Sequence, residues 1–323
     1  MGRVPEVPRG LLAVAREQLG LVNVSQCEAH GVTDHRRRRL VALGGWKRLA
    51  HGVYDTGQAD LSRHPLDAAR RRKVWLGQLA RPRGAILGAG ALVAAGVAGV
   101  PADFVVEMAF PGRSHYRSRA GIKVRQIEVG PHVTMFGGIR AVTLDLALAQ
   151  AAGSLARGEW LACADNAVRR GLVDPELGEV RHHMKRLRMP QALRDLANLV
   201  DSRAESPIES RARLRCIDAG LVPDDLQREV FDGAGRFLGR YDLAWRLGKD
   251  RWLLVEIDSS EFHGTDEQLH HDATRQNRLI ASGDHLILRY RRRHLRHDAM
   301  VREIEAVLKR ERWTPRDTPP PSG

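Results

Sequence analysis

The chain is 323 residues long with a formal net charge of +13 and an isoelectric point near 10.5, which excludes an acidic protein and points to a polyanionic partner, nucleic acid before membrane. At this length two or three folded units are expected, and 43% hydrophobic residues are ordinary for a globular protein. Cys27, Cys163 and Cys216, far apart and odd in number, form no disulfide framework or metal spacing and suit a cytoplasmic protein, and neither a signal peptide nor a membrane span of about 20 apolar residues is expected.

In chain order, Leu11–Leu19 has helical apolar spacing. Ser25 is expected to cap a short helix, Gln26–His30, ended by Gly31. Thr33 then caps a third, Asp34–Leu43, ended by Gly44-Gly45. Helix, glycine turn, helix is the helix-turn-helix pattern, and Trp46–Ala50 with Gly52–Asp55 reads as a small hairpin beside it. Arg36, Arg37, Arg38 and Arg39 cover the whole circumference of the third helix, so not all of them can reach one ligand. With Lys47 and Arg48 they are the candidate contacts to DNA, although a solvated basic helix carries the same residues.

The stretch Gly31–Tyr54, with its run VTDHRRRRLVALGGWKRLAHGVY, resembles the winged helix-turn-helix domain of AbiEi-type antitoxins. The resemblance implies DNA as a partner and allows a cognate toxin or repair partner; with no membrane span expected, no membrane is expected as a partner.

Further along, Leu66–Leu79 is expected to be helical, and Ala85–Val100 a tightly packed buried helix. Its GAGALVAAG echoes a dinucleotide loop without the strand–helix context such a loop needs. Strands are expected at Phe104–Phe110 and Ile122–Val129, then helices at Thr143–Ala152, Glu159–Arg170, Asp174–Leu187 and Gln191–Val200. His182 and His183, as helix neighbours, cannot face one metal.

Ala204–Ser206 reads as a boundary, followed by a helix that opens with the capping box Ser206-Pro-Ile-Glu209. Strands are expected at Leu226–Val230, Phe237–Trp245 and Trp252–Ile257, the last two forming a hairpin over a polar turn at Leu247–Asp250. Thr265 and Gln268 open a helix ending before Gly283; His285–Tyr290 is the last strand and Met300–Leu308 the last helix. Trp313–Gly323, with four prolines, is expected to be disordered.

The hairpin carries the chemistry. Tyr241, Leu243 and Trp245 share one face, which turns Asp242 to the other; Leu253, Val255 and Ile257 share a face, which turns Glu256 and Asp258 away from it. If the acidic faces coincide, three carboxylates converge, and they repel unless one takes a proton or a cation sits between them. The expected occupant is Mg2+ or Mn2+, held by Asp242 and Glu256. Glu209 is placed to add a carboxylate, though the capping box alone accounts for it, and His263 adds a titratable group. Acids on the wet face of a hairpin give the same pattern.

Helix, three antiparallel strands, helix, strand is the core order of the PD-(D/E)XK nucleases. From Ser206 to about residue 308 the chain resembles the branch related to very-short-patch repair enzymes, on SPIESRARLR, YDLAW, VEIDSSEFHG and LILRY. The resemblance implies metal ligands at Asp242 and Glu256 and a water-mediated role for Glu209. It places Asp258 where the motif has its lysine, makes His263 the substitute base, and lets Arg275 and Arg278 meet phosphate. The expected organisation is a winged helix-turn-helix domain (1–60), a mainly helical α+β middle (61–203), a restriction-endonuclease-like mixed-sheet domain (204–310) and a tail (311–323). The expected activity is metal-dependent DNA endonuclease; the alternative is a DNA-binding antitoxin or regulator with a degenerate nuclease fold.

Overall fold

A computed structural model describes residues 5–59, 64–113, 121–249, 251–258, 285–296 and 298–315. Asp250, His263, Arg275, Arg278, the helix expected from Thr265 and residues 316–323 lie outside them. The protein is α+β, with one antiparallel and two mixed sheets among the described residues. It divides into two compact units, residues 1–156 with 176–195, and residues 157–175 with 196–323. The boundary expected at Ala204–Ser206 therefore lies inside the second unit.

The first unit opens with α1 (Arg9–Glu17), β1 (Leu21–Asn23), α2 (Val24–Ala29), α3 (Asp34–Ala42), β2 (Lys47–Ala50) and β3 (Val53–Asp55). Asn23, not Ser25, caps α2: its side chain accepts from the Gln26 amide at 2.9 Å while Gln26 Oε1 accepts from the Asn23 amide at 3.0 Å. The unforeseen strand β1 delivers Asn23 to that position and pairs with β3, giving a sheet of order β1-β3-β2. Leu11, Ala15, Val22, Cys27, Val32, Leu40 and Trp46 form the small core beneath.

Further elements of this unit are α4 (Pro65–Ala80), β4 (Ala85–Leu87), α5 (Gly88–Ala94), β5 (Val106–Ala109), β6 (Ile122–Val124), β7 (Val133–Phe136), β8 (Ile139–Val142) and α6 (Leu144–Ala151). After α7 (Arg157–Arg169), which belongs to the second unit, come α8 (Gly178–Arg186) and α9 (Gln191–Asp195). The expected helix Ala85–Val100 is instead strand β4 running directly into helix α5. The strand–helix context of a dinucleotide loop is thus present, but the Gln150 amide oxygen accepts from the Gly88 N–H at 3.0 Å, where a phosphate would sit. A Cβ at Gly90 would stand 2.6 Å from Ile86 Cγ2, so packing alone demands that glycine. The β7–β8 hairpin, also unforeseen, turns on Gly137 and Gly138, both at positive φ as a tight two-residue turn requires.

In the second unit α10 (Pro207–Asp218) leads to β9 (Asp225–Phe231), β10 (Phe237–Arg246), β11 (Trp252–Asp258), β12 (His285–Arg291) and α11 (Ala299–Arg310). The sheet order is β12-β11-β10-β9, antiparallel except for the parallel pair β11–β12. Leu243, Trp245, Leu253, Val255 and Ile257 share a core with Ala212 and Cys216 of α10 and with Met300, Ile304 and Leu308 of α11. Tyr241 departs from its expected partners and packs with Val230, Leu238, Ala244, Trp252 and Leu254. Trp313 is anchored rather than disordered: its indole N–H reaches Asp224 Oδ2 at 3.0 Å and its ring lies against the core.

Helix α7 is tied to α10 by a buried ion pair, Arg213 to Asp165 Oδ2 at 2.8 Å, with Asp165 Oδ1 accepting from the Asp201 amide at 2.8 Å. Burial pushes the Asp165 carboxyl up to about 6 even though Arg213 opposes the shift. Arg213→Ala strands that carboxylate and should cost about 3–5 kcal/mol in urea denaturation, whereas the double variant Asp165→Asn, Arg213→Met should recover most of the loss.

Candidate functional site

Three carboxylates lie at the sheet of the second unit. Pairing of β10 with β11 runs from Arg246–Trp252 to Leu243–Val255, and continuing that register sets Asp242 opposite Glu256. The ladder stops there because Asp242 intervenes: its Oδ2 accepts from the Ile257 amide at 2.6 Å. From the other side β9 sets Gln227 opposite Asp242, between the pairs Arg228–Tyr241 and Leu226–Leu243. The Gln227 side-chain amide donates to Asp242 Oδ1 at 3.0 Å and to Glu209 Oε2 at 2.9 Å. Glu209 is buried, on the first turn of α10. Ser206 caps that helix through the Glu209 amide at 3.3 Å, but the Glu209 carboxylate does not close the expected box; it accepts from the Glu205 amide at 2.8 Å and turns to the sheet.

The electrostatics follow from this crowding. Asp242 is pushed up to about 7, by desolvation first and then by the charge of Glu209; the bonds from Ile257 and Gln227 oppose the rise, and Glu256 adds to it. Asp258 lies two residues beyond Glu256 on β11, so the same alternation turns it that way. Strand β12, parallel to β11, sets Arg289 in register with Glu256 and Arg291 with Asp258. Arg289 Nε lies 2.9 Å from Glu256 Oε2, and Arg291 Nε lies 3.8 Å from Asp258 Oδ2. Among the described residues, no group of three or more His, Cys, Asp and Glu side chains is placed to hold a metal ion.

The basic residues of the first unit separate into two kinds. Arg37 is 4% exposed, bonds the Val32 carbonyl at 2.8 Å and reaches Glu28 at 3.3 Å. A guanidinium spent on the turn between α2 and α3 cannot meet a ligand, so Arg37 leaves the set of DNA contacts. Arg36 is half-buried and donates to the Glu6 carbonyl. Arg38, Arg39, Lys47 and Arg48 are exposed, Arg38 pairing with Asp34 at 2.5 Å in a surface contact of little energetic weight.

Two uncharacterized proteins of Mycobacterium tuberculosis, MT2308 of strain CDC 1551 / Oshkosh and Rv2248 of strain ATCC 25618 / H37Rv, are each 30% identical to this chain over 254 residues. The match covers 75% of this chain and 84% of each relative. The chain belongs to their family. Because 254 residues exceed the length of either compact unit, the family resemblance includes parts of both. No protein-family model matches the chain. Among the described residues no helix is long and apolar enough to cross a membrane.

Sequence reasoning missed Gln227, Arg289 and Arg291. Nothing local marks Gln227, whose role depends on its position opposite Asp242. The two arginines alternate in LILRYR as Glu256 and Asp258 do in VEID, but only the register of a parallel pair joins them.

The raised Asp242 carboxyl fixes the sign of a pH effect. Between its unfolded value, about 4, and about 7 the folded chain holds a proton that the unfolded chain has lost, so stability falls as pH rises through that window. Asp242→Asn removes the titration. The variant should gain on wild type from pH 5 to pH 8 in urea melts, by about 1.4 kcal/mol for each unit of separation; parallel stabilities at both pH values would show that Asp242 is not the titrating group.

Proposed function

We propose that the protein is a metal-dependent DNA endonuclease, delivered to duplex DNA by an amino-terminal winged helix-turn-helix. The observation that carries this reading is the convergence of Glu209, Asp242 and Glu256, whose crowding and burial raise the Asp242 carboxyl to about 7. The order α10, three antiparallel strands, then β12 parallel to β11 supports a restriction-endonuclease-like unit. Helices α2 and α3 with the β2–β3 hairpin, and their exposed cations, support the DNA-binding module.

The donor set fits the expected cation, being carboxylate oxygen throughout and short of positive charge at Asp242. Asp242 and Glu256 would hold it, which requires Glu256 to exchange Arg289 for the ion. When bound, Mg2+ or Mn2+ supplies Lewis acidity and a water of lowered pKa. Asp242 would bind as the carboxylate, Gln227 would keep Glu209 beside it, and Arg289 and Arg291 would attract a phosphate toward the acids. The lysine of the motif has no counterpart at Asp258, and His263 remains the base implied by resemblance.

The pairing of Glu256 with Arg289 and the acid at position 258 favour the second reading, a DNA-binding antitoxin or regulator that retains the fold without cleavage. Purified protein incubated with supercoiled plasmid separates the two. Mg2+ or Mn2+ should yield nicked and linear DNA, chelator should stop it, and Glu256→Gln should abolish it; intact plasmid under both metals with tight binding establishes the regulator.

For the amino-terminal module, reversing Arg38 and Arg39 to Glu should weaken duplex binding measured by fluorescence anisotropy. The slope of log affinity against log salt should fall by about one unit per lost phosphate contact. Arg37→Glu should instead lower the melting temperature, since it breaks the buried bond to Val32.

A further inference from the structure

Gln227 stands in a conformation that its side chain does not favour. Its φ is +52°, and of the non-glycine residues at positive φ among the described residues it is the one inside a strand; Leu19, Leu177, Arg188 and Arg312 flank helices. Strained backbone persists where the surroundings over-determine it, and such residues cluster at functional sites. What surrounds Gln227 is the cross-strand position opposite Asp242 and a carboxylate arriving from α10. One nitrogen, with two protons, serves both acids at 2.9 and 3.0 Å. Few side chains can do this. A methionine has the length but no donor. A lysine has donors but brings a charge that would cancel the field drawing a cation to the acids. A neutral primary amide holds two carboxylates together and leaves their charge intact.

We propose that Gln227 is the positioning residue of the candidate active site, fixing the helix-borne Glu209 against the sheet-borne Asp242 without neutralising either. This assignment rests on the nuclease reading. It explains why a strained residue stands in β9 and why its side-chain amide reaches the acid at the start of α10. Gln227 acts through Glu209 and Asp242 and touches neither phosphate nor attacking water.

The test uses the full chain, with Mn2+ binding followed by calorimetry, plasmid nicking resolved into kcat and KM, and thermal melts. Gln227→Met should weaken Mn2+ binding tenfold or more and lower kcat, with KM for DNA close to wild type. Gln227→Lys should raise the melting temperature, because an ammonium between two carboxylates is well paired, and should at the same time abolish Mn2+ binding and nicking. A purely structural role would move affinity and melting temperature in the same direction, so the opposed response of Gln227→Lys decides between the two, even if Gln227→Met folds poorly. If wild type binds Mn2+ and nicks DNA while both variants match it, the assignment to Gln227 is overturned alone. If wild type does neither, the nuclease reading falls and takes this assignment with it.

Discussion

The Asp242 carboxylate receives one hydrogen bond from the backbone of β11 and one from a side chain of β9, and is repelled by a glutamate on each flank. Two hydrogen bonds to a carboxylate lower its pKa, and burial beside like charges raises it; here burial and repulsion win. Much of the second unit is arranged around that imbalance. Pairing of β10 with β11 gives way at this point, β9 adopts a disfavoured φ beside it, and α10 aims its first-turn acid at it. The apolar core of Leu243, Trp245, Val255 and Ile257, gripped by α10 and α11, provides the cohesion against which such tension can be held.

The arginines show how a bulk charge misleads. A net charge of +13 suggests a surface built for polyanions, yet several guanidiniums serve the fold. Arg37 ties down the turn between α2 and α3, Arg213 sits in a buried pair with Asp165, and Arg228 stacks 3.6 Å from the centre of the Trp252 ring. Arg289 and Arg291 face acids of the candidate site. Of the arginines and lysines left exposed in the first unit, Arg38, Arg39, Lys47 and Arg48 lie together on α3 and the adjoining hairpin, while others are spread over the rest of the unit.

The sequence was most legible where periodicity spoke for itself. The alternation of YDLAW and VEID put Asp242 and Glu256 side by side, and Ser206-Pro-Ile-Glu209 marked the start of α10. It was least legible where meaning depends on a distant partner. Glu209 looked like half of a capping box because the box is a local pattern, whereas its carboxylate accepts from the Glu205 amide and from Gln227, 18 residues on in β9. Parallel pairing left Arg289 invisible, since no turn residue encodes its register. In the first unit an Asn one residue before α2 outcompeted the serine within it, and Gly137-Gly138 was a hairpin signal passed over among helices. His263, Arg275 and Arg278 stand on resemblance alone.

The chain path through the two units has a consequence for heredity. Helix α7 leaves the first unit to join the second, and α8 and α9 return before the chain crosses again. A single recombination point cannot exchange one unit for a homologue's without stranding either α7, whose Asp165 needs Arg213, or the return segment that completes the first unit. Most shuffling of binding modules works by cutting once between beads on a string; here the chain passes between the two units three times. Successful exchange would take three coordinated crossovers, so the two halves of this protein are expected to be inherited together.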